Sequence, residues 1–400
     1  MEIQYKKLIY DLMNNDNPQY INQSLKEMHL FITEYYLQPF LNTPNFLKRF
    51  LLFPTFQSPE IVSESLFLLV KITELRSETT ISYLVASGLL NLLQYFYSTS
   101  YYSTTESFGN YTDIQRLKYI FTSNLLLFTS SSQLIIRNLD KAIESDIKII
   151  NKTSKIFKYA AFLMAGIVQF GQISIETLIY LYYPEMDNDV AFAVLNAIYD
   201  YQCHYLIKNL PITKFGKHLQ LFSIKRQSPD ARKVINAILK ILINIQLDLN
   251  TVQQLAQITE QIIELIKNED PVIQIAGWQL TLTLSCFQEG AESLAMTWLL
   301  RYILRGISVI NRQEPIQILQ NLYFHNVIVL TTPEMVVQIC DYFRSLQRSN
   351  DKEKQIEIVE ILKFMGSDYA VHQHLLNCDI VTDLRVSGFE YDATYIENQK

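Results

Sequence analysis

The side chains best suited to chemistry are His372, His374 and Cys378, which fall within seven positions. Imidazole and thiolate together suit zinc. His372 and His374 are two apart, so on a helix they diverge by about 200° and cannot both face one ion. The spacing therefore favours ordinary helix residues and a buried thiol over a metal site. Cys203 and His204 are a nucleophile and a base only by adjacency, and neighbouring helical residues do not face each other. Asp187 and Asp189 sit in a predicted turn, where helix capping explains a carboxylate more simply than catalysis. Glycine-rich phosphate loops, Cys-x-x-Cys, His-Glu-x-x-His and Gly-x-Ser-x-Gly are all missing from the sequence. We read the chain as a non-enzyme and infer no cofactor.

Two groups of residues suit binding instead. Between Lys208 and Lys240 there are eight basic residues and one acid, Asp230. Lys214, Lys217 and His218 share a helical face by their spacing, and Arg226 follows just beyond. Such a face would take an acidic or phosphorylated partner segment. The bland reading is a solvated helix face. Trp298, Arg301, Tyr302 and Arg305 form the second group, of the types that dominate interface energetics. Its bland counterpart is a core tryptophan with groove arginines.

Composition limits the partners. The formal charge is −6, with 34 basic and 40 acidic residues, which argues against a nucleic-acid binder. Ten glycines and eleven prolines are too few for a loop-rich β sandwich. The four cysteines lie far apart, three of them in apolar helical patterns, which predicts buried free thiols in a reducing compartment. Glu2, Lys6 and Lys7 interrupt the start, so no secretory signal is read there. The most apolar stretch, 159–170, falls short of the roughly 20 residues that span a bilayer. The expectation is a protein without membrane insertion, working in the cytoplasm or nucleus. Three glycosylation matches, at Asn22, Asn110 and Asn151, then carry no meaning.

The elements that would position these residues recur at a regular interval. Pro229, Pro271 and Pro315 follow one another at 42 and 44 residues, each at a polar break, with further breaks at Ser58-Pro59, Asp187-Asn188-Asp189 and Asn350-Asp351. Proline at the first helical position costs little, because that N–H lacks a partner anyway. After Pro59, Ile61, Ser65, Leu66, Leu68, Leu69 and Ile72 make one apolar stripe. Ile81, Leu84, Val85, Leu89, Leu92, Leu93 and Phe96 make the next. Periods of about 40–47 residues mark HEAT and armadillo arrays.

Two segments give the resemblance. Val85-Ala86-Ser87-Gly88-Leu89-Leu90-Asn91-Leu92-Leu93 resembles an armadillo repeat at its bend, with Gly88 at the usual glycine. Pro271 to Leu280 resembles the second helix, with Gly277 and Trp278 packed between neighbours. The segment 375–381 looks like a last copy, with Asn377-Cys378 where glycine is usual. The resemblance implies an all-α, right-handed α-solenoid of about seven to eight armadillo/HEAT-like repeats. It implies a concave groove lined near 84–97, 134–148, 173–182, 213–222, 252–266, 291–310, 333–346 and 374–384. Residues 1–56 read as an amino-terminal cap with helices near 2–14, 20–36 and 44–52. Residues 57–385 read as the solenoid, 98–112 as a mobile insertion within it, and 386–400 as a disordered tail.

The function implied is a protein-binding scaffold or adaptor holding a partner segment in that groove. Two versions are a cargo adaptor of the nuclear-import kind and a structural subunit of a cytoskeletal, ciliary or trafficking complex. Import adaptors carry a ladder of Trp and Asn one turn apart. Here Asn91 could be one rung, yet Ser87 stands where its Trp would be.

Overall fold

The structure, a computed structural model, describes residues 2–32, 41–43, 45–98, 101, 105–106, 110–150, 152, 154–168, 175–205, 207, 209–224, 228–295, 299, 302–303, 314–325, 327 and 333–399. Among these there are helices and turns and no strand. The chain divides into two compact units, Met1–Ile207 and Lys208–Lys400. The repeat body expected over 57–385 has residues in both units. The predicted cap and the first repeats share the first unit.

The first unit runs through α1 (Glu2–Asn14), α2 (Pro18–Met28), α3 (Phe46–Phe50), α4 (Pro59–Glu74), α5 (Glu78–Ala86), α6 (Leu89–Phe96), α7 (Tyr111–Leu125), α8 (Thr129–Lys148), α9 (Phe157–Val168), α10 (Ile175–Leu181) and α11 (Asn188–His204). One row is a series of helices in which α2 packs on α4, α4 on α7, α7 on α9 and α9 on α11. In a second row α5 and α6 both pack on α8. α4 shows why the rows hold. Ile61, Leu66, Leu68, Leu69 and Ile72 are fully buried, and Val62, Val70 and Thr73 bury the remaining flanks. A helix apolar nearly all round is stable only between neighbours.

The second unit repeats the design through α12 (Ile212–Ile224), α13 (Pro229–Ile243), α14 (Leu249–Ala256), α15 (Thr259–Ile266), α16 (Pro271–Ser285), α17 (Gln288–Ala295), α18 (Glu314–Phe324), α19 (Pro333–Ser349), α20 (Lys352–Gly366), α21 (Tyr369–Asn377), α22 (Ile380–Val386) and α23 (Glu390–Asn398). Its long row is α13, α16, α18, α20 and α23, each packed on the one before. The other row stacks α12 on α14 and α15, α14 on α17, and α19 on α21. The predicted breaks are helix starts. Ser228 accepts the Ala231 N–H at 3.2 Å and Asp270 accepts the Val272 N–H at 2.9 Å, with proline in the first turn of each helix. Gly277 lets α16 approach α15: a β carbon there would stand 3.0 Å from the Ile266 nitrogen. Trp278 beside it is buried.

The second row bends where the chain turns left-handed. Gly88 has φ 110° between α5 and α6, as the sequence led us to expect. In the last copy the left-handed residue is Asp379, with φ 57°, and not Asn377 or Cys378. Aspartate tolerates that conformation better than most residues, and its carboxylate accepts the Thr382 hydroxyl at 2.8 Å.

Two further expectations need correction. The end of the chain is not a disordered tail. α23 buries Ala393 and Ile396 completely, and Lys363 of α20 pairs with Asp392 at 3.2 Å. Much of 98–112 lies outside the described residues, but Tyr101 and Thr105 within it are buried. Tyr101 packs edge-on against Tyr95, with ring centroids 5.5 Å apart, so these positions are core and not a mobile insertion. In the cap, α1 falls where expected. The second helix ends earlier, at Met28, and the third is the short α3 followed by a tight turn at Phe53–Thr55.

Candidate binding cleft of the first unit

In the first unit the amino-terminal ends of α7, α9 and α11 border one open cleft of about 480 Å³. Its floor is apolar, with Ile156, Phe157, Met186 and Val190 all buried. Its wall on the α9 side is cationic. The turn between α8 and α9 brings Lys152 and Lys155, the first turn of α9 brings Lys158, and α7 brings Arg116. Phe157 donates its N–H to the Ser154 carbonyl at 3.0 Å, and the Ile156 N–H reaches the Ser154 hydroxyl at 3.4 Å. These bonds fold the lysine-bearing turn against its own helix.

The cations are held differently. Lys152 donates to the Tyr180 carbonyl at 2.5 Å and lies 4.2 Å over the Tyr180 ring, so its ammonium is anchored to α10. Arg116 pairs with Asp113 at 3.3 Å. Lys155 is exposed, and so is Lys158, whose ammonium lies 5.1 Å over the Tyr159 ring. No acidic residue occupies the first turn of α9, so its amide dipoles add to the positive field. The opposite wall carries Glu185 and Asp187. Burial and those two carboxylates push the Tyr183 hydroxyl above its usual range.

α7 also carries a buried ionic cluster. The Lys118 ammonium lies 2.7 Å from an Asp146 oxygen, and the Tyr119 hydroxyl donates to the same oxygen at 2.6 Å. The rings of Tyr97, Tyr119 and Tyr101 surround the ammonium at 4.6, 4.8 and 5.2 Å. Burial pushes the Asp146 carboxyl up to about 8 and pulls the Lys118 ammonium well below its ordinary range. This cluster ties α7 to α8.

The residues singled out from the sequence fare unequally. Lys217 is exposed and Lys214 half-buried, but His218 is 1 % exposed. Burial pushes the His218 imidazole down to about 4, so it is neutral at pH 7 and adds no charge to that face. Arg226, Trp298, Arg301 and Arg305 lie outside the described residues. Tyr302 is half-buried with the Lys267 ammonium 4.8 Å over its ring. Asn91 is exposed on α6. His372 is buried with Nε2 2.8 Å from the Ile396 carbonyl, a bond that docks α23. Among the described residues no group of three His, Cys, Asp or Glu side chains could hold a metal ion. Of the cysteines only Cys340 is buried; Cys203 and Cys286 are exposed and Cys378 is half-buried, which corrects the expectation of buried thiols.

The sequence reading passed over the cleft lysines, although a signal was present. Lys148, Lys152, Lys155 and Lys158 occur with no acid between Asp146 and Glu176. Only the fold shows that Arg116 joins them.

No protein-family model matches the chain, and no curated protein matches it. Among solved structures it is similar to the crystal structure of an engineered protein, with a TM-score of 0.53 at 14% identity over 99% of each chain. At that identity the likeness shows the fold alone. A designed armadillo repeat protein is also similar, at 13% identity over 72% of this chain and 98% of that one. Its TM-score is 0.36. The class follows from the molecule itself: two helical rows per unit, recurring starts and a left-handed bend within the second row. This is an all-α repeat array with an armadillo/HEAT-like fold. Among the described residues no helix is long and apolar enough to cross a membrane.

Proposed function

We propose that the chain is a non-catalytic scaffold or adaptor, and that the cleft of the first unit holds an acidic segment of a partner protein. The observation that carries this is the cationic wall above an apolar floor. Lys155, Lys158 and Arg116 can receive carboxylates or a phosphate, while Ile156 and Phe157 receive an apolar neighbour. A lysine-rich import signal would be repelled by the same wall, so the cargo-adaptor version is disfavoured. Four cysteines free of disulfides support a reducing compartment, in the cytoplasm or nucleus.

The test is titration of the full chain with a fluorescein-labelled Glu-rich peptide and, separately, with a Lys-rich one. The acidic peptide should bind more tightly, and rising salt should weaken it. The double variant Lys155→Glu/Lys158→Glu should lose about tenfold or more in affinity. Equal binding of both peptides, or an indifferent double variant, would overturn the proposal.

A further inference from the structure

Cys340 and Cys378 are 38 positions apart in sequence, on elements that pack together. Cys340 lies on α19 with no exposed surface, and Cys378 caps the end of α21 at the bend into α22. α19 packs directly on α21. The two thiols are close enough to act on each other electrostatically. Arg344, one turn after Cys340, fixes the approach. Its Nη2 donates to the Cys378 carbonyl, and its Nε donates to Asp383 of α22 at 2.8 Å. One guanidinium thus clamps the bend onto the helical face that carries Cys340.

We propose that Cys340 and Cys378 are a dithiol redox site that closes a disulfide between α19 and the α21–α22 bend when a peroxide reaches it. Cys378 is the less buried of the two, so it reacts first. Its thiolate attacks the peroxide O–O bond, the sulfur takes one oxygen as a sulfenic acid, and the other leaves as water. Cys340 then attacks the Cys378 sulfur. The S–S bond forms, the S–O bond breaks, and the departing hydroxide takes the Cys340 proton as a second water. Two thiols and one peroxide become one disulfide and two waters. Burial holds the Cys340 thiol up against ionisation, while Arg344 opposes that effect. This order of events suits a resolving thiol that waits for its partner to be oxidised. The exposed cysteines are placed otherwise: Cys286 accepts from the Asn321 amide at 3.5 Å, and Cys203 lies on α11 of the first unit.

The bond would close a loop containing the whole of α20 and α21 and so constrain the unfolded chain. The experiment exposes the full chain to hydrogen peroxide and maps non-reduced peptides by mass spectrometry. A linked pair containing Cys340 and Cys378, lighter by two hydrogens and reversed by dithiothreitol, is expected. It should form equally in Cys203→Ser/Cys286→Ser. The oxidised protein should melt about 10 °C higher, a shift that Cys378→Ser should lack. Should Cys378→Ser fail to fold, the double serine variant carries the test alone. Sulfinic acid at Cys378 without the link would overturn the proposal. So would oxidation confined to Cys203 and Cys286 in a protein whose circular dichroism is unchanged.

Discussion

The Lys118 ammonium sits 2.7 Å from an Asp146 oxygen, and neither side chain is more than 2 % exposed. A pair this deep costs much to desolvate, so its worth lies in completeness. Removing one partner leaves the other's buried polar group without its counterpart. Lys118→Ala or Asp146→Ala should each cost about 3–5 kcal/mol in urea denaturation. Lys118→Met/Asp146→Leu should come within about 1–2 kcal/mol of the parent or exceed it. A double variant as weak as the singles would show that the tyrosine cage and not the charge holds the site.

His218 should make the second unit acid-sensitive. Its imidazole titrates at about 4 when folded and at 6.5 in the reference state. Between those values the unfolded chain binds the extra proton, so stability is full above pH 6.5 and falls as pH drops toward 4. The loss approaches about 3 kcal/mol. Unfolding free energies measured from pH 4 to 7 should flatten in His218→Leu. A parental slope that survives this substitution belongs to another group.

The two bends give opposite expectations. Gly88→Ala places a β carbon at φ 110° and should cost about 1–2 kcal/mol. Asp379→Gly relieves a non-glycine residue at φ 57° and should be neutral or stabilising by up to about 1 kcal/mol, since it also gives up the bond from Thr382. Thermal melts of the two variants decide it. A destabilised Asp379→Gly would mean that the Thr382 bond outweighs the strain.

The repeat was legible because its signals are local. Proline and aspartate at helix starts, stripes at three- and four-residue spacing, and Gly88 before a leucine run act within a turn or two of chain. α23 was missed because only Ala393 and Ile396 face its neighbours, too few to register as a stripe. His218 was misplaced because its spacing matches Lys214 and Lys217, while packing around α12 decides which of the three meets water. The cleft lysines left a basic run in the sequence, but the cleft itself and the thiol pair left no mark. Arg116 and Lys155, or Cys340 and Cys378, are joined only once helices from different repeats are stacked.

The starts of the long row in the second unit, at 229, 271, 314, 352 and 390, have a kinetic consequence. Each later helix of this row packs both on the helix that starts some forty residues before it and on close neighbours in the chain. Closing such a span costs little more at the last rung than at the first. The unit can therefore assemble in the order in which it leaves the ribosome. Each finished pair offers the next helix a ready surface, and no strand or distant segment has to be awaited.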